Sequence, residues 1–309
     1  MNPLRQTINR DHVSVCICTF NRPELLANLL RSLARQTTDD LFTYEVVVVD
    51  NDAKRSAEGV VRAASAGATI GLTYDCEPER NISLTRNRAI RNATGNLVAF
   101  IDDDETPVDD WLVRLFRTLK LHQVHGVLGP VLPEFPPGAP SWLHKARVFE
   151  RRRHRTGTAI SSSDARTGNV LLDRAMFSDD QAWFDPAFGR TGGEDSDFFA
   201  RQFRLGRRFV WCDEATAHET VPPERWTVSF HIRRLWRAGV LDGEWMRTGK
   251  VPGGLIVAKN AVLLGGLAVV ALPSIVLPKH IHVRIAQKLA YCAGVVSAYA
   301  GVSLLRERE

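Results

Sequence analysis

Apolar runs in the first hundred residues alternate with segments of helical spacing, and each run ends at a polar side chain. The runs and their following residues are 13–18 with Thr19, 44–49 with Asp50, and 97–101 with Asp102. Alternating strand and helix patterns predict an open, mostly parallel α/β sheet. Because ligands of such sheets bind beyond the carboxyl ends of the strands, these three polar residues are candidate binding residues.

The third run is followed by four acidic residues, Asp102-Asp103-Asp104-Glu105. Four adjacent like charges repel one another, and an unpaired carboxylate is costly to bury, so the cluster calls for a cation. Carboxylate oxygens are the ligands that Mg²⁺ and Mn²⁺ prefer, and such an ion commonly bridges to a phosphate. The alternative is an acidic loop that stabilises the N-terminus of a helix beginning near Val108.

Further ionisable residues lie where they could bind a ligand or a metal, or act in acid–base catalysis. Asp50 could accept hydrogen bonds from a ribose or a base, or only cap a helix. Arg86, on a helix before the acidic cluster, could reach a diphosphate. Gly192 and Gly193 place Asp195 in the first turn of a helix, where it could be a general base or simply favour the helix N-terminus. His218 follows a strand and is either structural or a metal ligand.

The chain has 309 residues, with 44% hydrophobic and 24% charged residues and a formal charge of +5, as expected for a globular protein. Basic residues crowd one stretch: Lys145, Arg147, Arg151, Arg152, Arg153 and Arg155. Such a stretch suits phosphates, nucleic acid or an anionic membrane, or is a solvated surface. The five scattered cysteines indicate neither a zinc site nor a disulfide framework, and favour a reducing cytosol.

The C-terminal part differs in composition, since residues 261–277 carry no charge and residues 285–305 are weakly polar. The first run is of borderline length for a membrane span, and Pro273 would kink it. Basic residues flank both runs, which favours association with the cytosolic membrane face. A buried helical hairpin or a dimer contact is the alternative. The polar N-terminus, residues 1–11, lacks a signal peptide, so a cytosolic catalytic part is expected.

Five motifs in order resemble glycosyltransferase family 2, and within it the bacterial exopolysaccharide glucosyltransferases of the succinoglycan type. They are Val-Ser-Val-Cys-Ile-Cys-Thr-Phe-Asn-Arg-Pro23, Val-Val-Val-Val-Asp50-Asn, Asn-Ile-Ser-Leu-Thr-Arg-Asn87, Phe-Ile-Asp-Asp-Asp104-Glu and Gly-Gly-Glu-Asp195. The resemblance covers roughly residues 12–245. It implies a GT-A fold with helices on both faces of the sheet, a divalent cation (Mn²⁺ or Mg²⁺), and inversion at the anomeric carbon. We accordingly expect a GT-A domain over residues 1–245 and an apolar, membrane-associated helical segment over residues 246–309.

The resemblance also implies roles for single residues. Asp195 is expected to be the catalytic base, and Asp104 and His218 to ligate the metal. The residues expected at the nucleotide-sugar are Thr19, Asp50, Arg86, Asp102, Arg234 and Arg237. Relatives that are processive synthases carry Gln-x-x-Arg-Trp near the last two, where this chain reads His231-Ile-Arg-Arg-Leu-Trp-Arg237, so transfer of a single sugar is expected.

The expected reaction moves glucose from UDP-glucose to a lipid-diphosphate-linked oligosaccharide at the cytosolic face of the membrane, with no nucleic-acid partner. Two other functions remain open from the sequence. A nucleotidyltransferase would share the nucleotide-binding sheet and the acidic metal ligands but would not need Asp195. A non-catalytic membrane assembly component would share only the fold.

Overall fold

The predicted alternation of strands and helices is present in the computed structural model, which describes residues 10–178, 183–249, 253–271 and 273–302. Residues 1–9, most of the polar N-terminus, lie outside the described residues, as does the basic end of the chain at Arg306 and Arg308. The chain divides into two compact units. The first contains Met1–Leu132 and Arg151–Glu219, and the second contains Pro133–Glu150 and Thr220–Glu309. The sequence-based division at residue 245 stays a prediction.

The regular elements of the described residues follow in chain order. The strands are β1 (Asp11–Thr19), β2 (Phe42–Asp50), β3 (Gly71–Cys76), β4 (Leu97–Ile101), β5 (Glu105–Pro107), β6 (Gly126–Leu128), β7 (Val131–Glu134), β8 (Asn169–Asp173), β9 (Phe209–Trp211) and β10 (Ala217–Thr220). The α-helices are α1 (Pro23–Leu33), α2 (Glu58–Ser65), α3 (Ile82–Asn92), α4 (Trp111–His122), α5 (Ser141–Ala146), α6 (Glu194–Arg204), α7 (Val228–Arg247), α8 (Gly254–Ala271) and α9 (Lys279–Tyr299). Short 3₁₀ helices lie at Arg174–Phe177, Pro186–Phe188, Pro223–Trp226 and Pro273–Val276.

The first unit contains a seven-stranded sheet in the order β3-β2-β1-β4-β8-β6-β9. The strands β3, β2, β1 and β4 are mutually parallel, β8 runs antiparallel to β4 and β6, and β9 is parallel to β6. The prediction of a mostly parallel α/β sheet is therefore confirmed. A three-stranded sheet has the order β5-β10-β7.

Both faces of the large sheet are buried, as the uninterrupted apolar strands require. Successive side chains of a strand point to opposite faces. Val15 and Ile17 of β1 accordingly pack in one cluster with residues of α1, α2 and α4. Cys16, between them, packs in a second cluster with residues of α3 and α6. Helices on both faces hold the strand ends in place.

In the second unit, α7 and α9 approach each other closely because glycines lie at their contact. A β-carbon at Gly239 of α7 would lie 2.1 Å from the carbonyl oxygen of Tyr291. A β-carbon at Gly243, one turn later, would lie 2.4 Å from the carbonyl oxygen of Val295. Small residues spaced four apart allow such close helix packing.

The helix α8 is the one helix among the described residues that is long and apolar enough to cross a membrane, judged by length and composition. Its side chains are largely exposed, including Leu255 at 90% and Val262 at 77%. The buried polar side chain of Asn260 accepts a hydrogen bond from Cys292 Sγ of α9 at 3.2 Å. One side of α8 therefore packs on α9, and the rest is an exposed apolar surface.

Candidate active site

The ends of three neighbouring strands bring together the polar residues singled out in the sequence. Thr19 and Asp50 are register partners at the ends of β1 and β2. The strand β4 lies on the other side of β1 and ends at Ile101, directly before the acidic run. These residues therefore share one edge of the sheet, the position at which α/β sheets bind ligands.

Asp103 is held by groups that come from the end of β1. Thr19 Oγ1 donates to Asp103 Oδ2 at 2.8 Å, and Arg22 Nη1 donates to Asp103 Oδ1 at 2.9 Å. The same Arg22 nitrogen donates to Asp104 Oδ2 at 3.1 Å. Burial raises the pKa of Asp103 to about 6, against the lowering effect of Arg22 and with a further raising effect from Asp104. Thr19 is thus a hydrogen-bond donor to the acidic cluster in this structure.

The Arg22 contact was not anticipated from the sequence, although Arg22 belongs to one of the five motifs. The sequence does contain a feature that indicates this contact, because Arg22 lies between the end of a strand and a proline that begins a helix. Such a position points the side chain toward the edge of the sheet where the acids emerge.

Glu105 and Asp102 form the other half of the acidic cluster. Glu105 is 1% exposed, and its Oε2 accepts a hydrogen bond from the Asp102 backbone N–H at 3.3 Å. Among the described residues, Glu105 Oε1 has no hydrogen-bond partner. A β-carbon at Gly168 would lie 2.8 Å from Glu105 Oε1 and 3.1 Å from Asp102 Oδ2, so both oxygens crowd the same backbone position. Burial first, and then the neighbouring carboxylates, raises the pKa of Glu105.

Asp50 is completely buried and well supplied with hydrogen bonds. Its Oδ1 accepts from the Asp52 N–H at 3.0 Å, and its Oδ2 accepts from the Ala57 N–H at 2.8 Å and from the Tyr74 hydroxyl at 3.1 Å. The carboxylate therefore fixes the loop that follows β2. Its contact with a nucleotide stays a prediction.

The helices α3 and α6 are joined by a buried ion pair between Arg86 and Glu194. The Arg86 guanidinium also lies over the Phe184 ring, with 5.5 Å between its carbon and the ring centroid. Glu194 was not assigned a role from the sequence beyond its place in the Gly-Gly-Glu-Asp motif. It pairs with Arg86, which acts electrostatically on both Asp102 and Asp195.

Asp195 lies in the first turn of α6, as predicted. The turn before it requires glycine, because Gly192 and Gly193 have φ values of 90° and 96°. Asp195 Oδ1 accepts a hydrogen bond from the Ser196 N–H at 2.7 Å. Burial first, and then the charge of Glu194, raises the pKa of Asp195, against the effects of Arg86 and Arg166. A carboxylate with a raised pKa in such a position is suited to accept a proton near neutral pH.

His218 lies on β10, which pairs antiparallel with β5, the strand that begins at Glu105, the last residue of the acidic run. The register places His218 opposite Thr106 and Glu219 opposite Glu105. Over residues 10–178, 183–249, 253–271 and 273–302, no group of three or more His, Cys, Asp and Glu side chains is arranged to hold a metal ion. One or two carboxylates completed by substrate phosphates and water are the usual site for Mg²⁺, and the buried oxygens at Asp104 fit that arrangement.

Arg234 and Arg237 belong to α7 in the second compact unit. Arg234 lies over the Phe149 ring of the same unit, with 5.8 Å between the guanidinium carbon and the ring centroid. Their predicted contact with the nucleotide-sugar stays a prediction.

Acidic partners neutralise most of the basic stretch near residue 150. Arg151 pairs with Glu219 at 3.2 Å and Arg153 pairs with Asp213 at 2.9 Å. Arg152 lies 3.9 Å from Asp164. Arg147 also pairs with Glu150, so four of these six basic side chains have an acidic partner.

Comparison with known proteins decides the family. Residues 14–179, more than half of the chain, match the family model described as Glycosyl transferase family 2. The chain belongs to glycosyltransferase family 2. It is 33% identical over 306 residues to the succinoglycan biosynthesis protein ExoM of Rhizobium meliloti (strain 1021), covering 96% of this chain and 95% of that protein. It is 25% identical over 250 residues to the chondroitin synthase of Escherichia coli, covering 71% of this chain and 36% of that protein.

Solved glycosyltransferases share the fold of this family 2 chain. The mannosyltransferase PcManGT of Pyrobaculum calidifontis, in complex with GDP-Man and Mn²⁺, matches with a TM-score of 0.59 and 19% identity, covering 93% of this chain and 88% of that one. Residues 1–349 of S. aureus TarS, in complex with UDP, match with a TM-score of 0.53 and 18% identity, covering 94% and 92%. The predicted GT-A fold is confirmed, and the enzyme is a hexosyltransferase of this family.

Proposed function

We propose that this enzyme transfers one hexose, with inversion, from a nucleotide-sugar to an acceptor hydroxyl in the assembly of a bacterial exopolysaccharide or another surface polysaccharide. Asp195 is the general base, and the strand-end residues Thr19, Asp50 and Asp102, together with Arg86, bind the donor. Arg234 and Arg237 are proposed to contact the donor's diphosphate.

The observation that carries this proposal is the position of Arg86. Its buried guanidinium pairs with Glu194 and acts electrostatically on Asp102, at the end of β4, and on Asp195, at the start of α6. A fixed cation that acts on both carboxylates suits a diphosphate that gains negative charge as its bond to the sugar breaks.

The proposed reaction uses ordinary acid–base chemistry. Asp195 accepts the proton of the acceptor hydroxyl while the hydroxyl oxygen bonds to the anomeric carbon. The bond between that carbon and the diphosphate oxygen breaks, and its electron pair leaves with the nucleoside diphosphate. Attack from the face opposite to the leaving group inverts the configuration at the anomeric carbon.

Asp104 is the residue proposed to hold a divalent cation, with His218 from the neighbouring strand as a second ligand. Bound there, Mn²⁺ or Mg²⁺ would neutralise the charge of the diphosphate. Support comes from the oxygen donors of the buried acidic run and from the Mn²⁺ in the PcManGT complex.

The proposed donor is UDP-glucose and the proposed acceptor is a lipid-diphosphate-linked oligosaccharide. Support comes from the similarity to a succinoglycan biosynthesis protein over nearly the whole of both chains. The TarS structure was solved with UDP, whereas PcManGT holds GDP-Man. The preference for a uridine or a guanosine nucleotide is therefore the first property to measure.

A panel of nucleotide-sugars with a lipid-linked acceptor tests the proposal. We expect release of nucleoside diphosphate and extension of the acceptor by one sugar, with UDP-glucose the best donor. Asp104→Asn should lower this turnover strongly. Release of pyrophosphate, or intact donor in every reaction, would contradict glycosyl transfer.

We also propose that α8 associates with the cytosolic membrane face. Support comes from its length and composition and from the exposure of apolar residues such as Val262 and Val269 at 77% and 76%. Exposing such a surface to water is unfavourable, at about 25 cal/mol for each Å² of apolar area.

Flotation of the full chain with anionic lipid vesicles tests this association. Wild-type protein should float with the vesicles, and Val262→Glu/Val269→Glu protein should not. The matched control is Leu121→Glu/Leu205→Glu, which adds the same two charges at similarly exposed apolar side chains of the first unit. Equal flotation of all three proteins would assign α8 to another role.

A further inference from the structure

One nitrogen of Arg22 binds two consecutive carboxylates of the acidic cluster. Arg22 Nη1 lies 2.9 Å from Asp103 Oδ1 and 3.1 Å from Asp104 Oδ2. The two aspartates are buried, whereas the Arg22 side chain is 40% exposed. The cation is therefore the member of this group that has room to move.

The backbone before α1 aims Arg22 at these acids. Asn21 has a φ of 52°, in the left-handed region that asparagine tolerates better than most residues. Pro23 begins α1 and disfavours helical backbone at the residue before it, and Arg22 indeed has a φ of −136°. A short, stiff turn thus leads from β1 to α1 with the arginine side chain over the end of the sheet.

Asp103 has a donor besides Arg22. Asp103 also accepts the hydrogen bond from Thr19 Oγ1 at 2.8 Å, so it keeps a donor when Arg22 moves. Asp104 is the proposed metal ligand. A guanidinium that donates to Asp104 occupies a carboxylate oxygen and places positive charge next to the position of the ion, and like charges repel.

We propose that Arg22 is an internal counter-cation: it neutralises Asp103 and Asp104 in the donor-free enzyme and leaves Asp104 when the metal and the nucleotide diphosphate bind together. This inference rests on the proposed function, because it takes Asp104 as the metal ligand. Arg22 is a positioning residue, since it sets the state of Asp104.

A thermodynamic consequence follows for binding. Metal alone must displace Arg22 from Asp104 without offering it a new anion, so metal alone binds weakly. A nucleoside diphosphate supplies negative charge for the released guanidinium, so it should strengthen metal binding. Coupling of this kind is reciprocal, and the metal should strengthen nucleotide binding by the same factor.

Mn²⁺ binding to the full chain, measured from the spectrum of free Mn²⁺ by electron paramagnetic resonance, tests the proposal without any turnover. Wild type, Arg22→Met and Arg22→Lys are titrated with Mn²⁺ alone and with Mn²⁺ plus UDP. Arg35→Met is the matched control, because Arg35 makes an exposed surface pair with Asp109 at 3.5 Å.

We expect Arg22→Met to bind Mn²⁺ alone about tenfold more tightly than wild type, corresponding to loss of one charge-assisted contact. The strengthening by UDP should shrink in the same variant. Arg22→Lys, which keeps a positive charge, should lie between wild type and Arg22→Met, and Arg35→Met should equal wild type. Thermal unfolding of each variant without metal confirms that it is folded.

The outcomes separate the two proposals. Wild-type binding of Mn²⁺ in the presence of UDP, with the same affinity for Mn²⁺ alone in wild type and both Arg22 variants, would overturn the role of Arg22 and leave the metal site standing. Absence of Mn²⁺ binding in every protein, with and without UDP, would overturn both the metal site and the counter-cation. If Arg22→Met is unfolded, Arg22→Lys decides by the same comparison.

Discussion

Arg86 and Glu194, which are separated by 108 positions in the chain, form a buried ion pair between α3 and α6. Arg86 acts electrostatically on Asp102, directly after β4, and on the proposed base, Asp195. The pair fixes the first turn of α6 relative to α3 and keeps a cation that acts on both carboxylates. One contact thus connects the stability of the fold with the geometry of the site.

Removal of one partner of this pair should destabilise the first unit. Glu194→Gln leaves the buried Arg86 charge uncompensated, which typically costs about 3 kcal/mol or more in the free energy of unfolding. The double variant Arg86→Met/Glu194→Leu should recover most of that loss, because both charges are removed together. Denaturant unfolding of Arg86→Met, of Glu194→Leu and of the double variant measures the coupling, and strictly additive losses would show that the pair contributes no interaction.

Replacement of the proposed base should separate chemistry from binding. Asp195→Asn should lower kcat by about 10²–10⁴-fold, the usual contribution of a general base, while donor affinity is retained. Because burial and Glu194 raise the pKa of Asp195, the acidic limb of the wild-type rate profile should lie above the ordinary range for aspartate. Activity should fall as the pH is lowered through that pKa, since the base must be ionised. Asp109→Asn, on an exposed aspartate, is the control, and lost donor binding in Asp195→Asn would place Asp195 in the donor site instead.

A methyl group at Gly168 should disturb the site more than the fold. It would meet the ends of two flexible side chains, Glu105 Oε1 and Asp102 Oδ2, which can move at little cost to packing. Displacement of Asp102 by a few tenths of an ångström should raise the KM for the donor by roughly tenfold. Gly59→Ala, where nothing lies within 4 Å of the added carbon, should leave the KM unchanged. A Gly168→Ala enzyme with wild-type KM would remove Asp102 from donor binding.

Acid should destabilise the second unit through His231. This residue is completely buried among aromatic rings, with ring centroids 4.9 Å from Phe149 and 5.8 Å from Trp142. Burial, and then the charge of Arg234, lowers the pKa of His231 to about 4. The unfolded chain therefore binds an extra proton between about pH 6.5 and pH 4. Stability supplied by the neutral ring is present above pH 6.5 and is lost on acidification to pH 4, by up to about 3 kcal/mol.

The pH dependence of thermal unfolding, compared between wild type and His231→Phe, checks this effect. The variant should lose stability less steeply between pH 6.5 and pH 4. His280→Phe, on α9 of the same unit, should retain the wild-type slope, and equal slopes in all three proteins would contradict the assignment to His231.

The order of the strands and helices was predictable because each has a hydrophobic periodicity that is visible in a short stretch of sequence. The apolar runs that became β1, β2 and β4 differ from their predicted bounds by at most two residues at either end. The placement of Thr19, Asp50 and the acidic run at one edge followed from the same periodicity. The role of Glu194 could not be predicted in this way, because acidic residues in a first helical turn are common. Only the ion pair with Arg86 distinguishes Glu194 from the others.

The sequence by itself determined the parallel sheet, the family and the positions from which the site residues project, since those depend on short-range periodicity and ordered motifs. Only the tertiary structure decided which charges meet: Arg22 with Asp103 across 81 positions, Arg86 with Glu194, and Glu105 against Asp102 at the Gly168 backbone. The physical reason is that the energy of a buried charge depends on its nearest partner in space. Chain folding brings that partner from an element far away in the sequence.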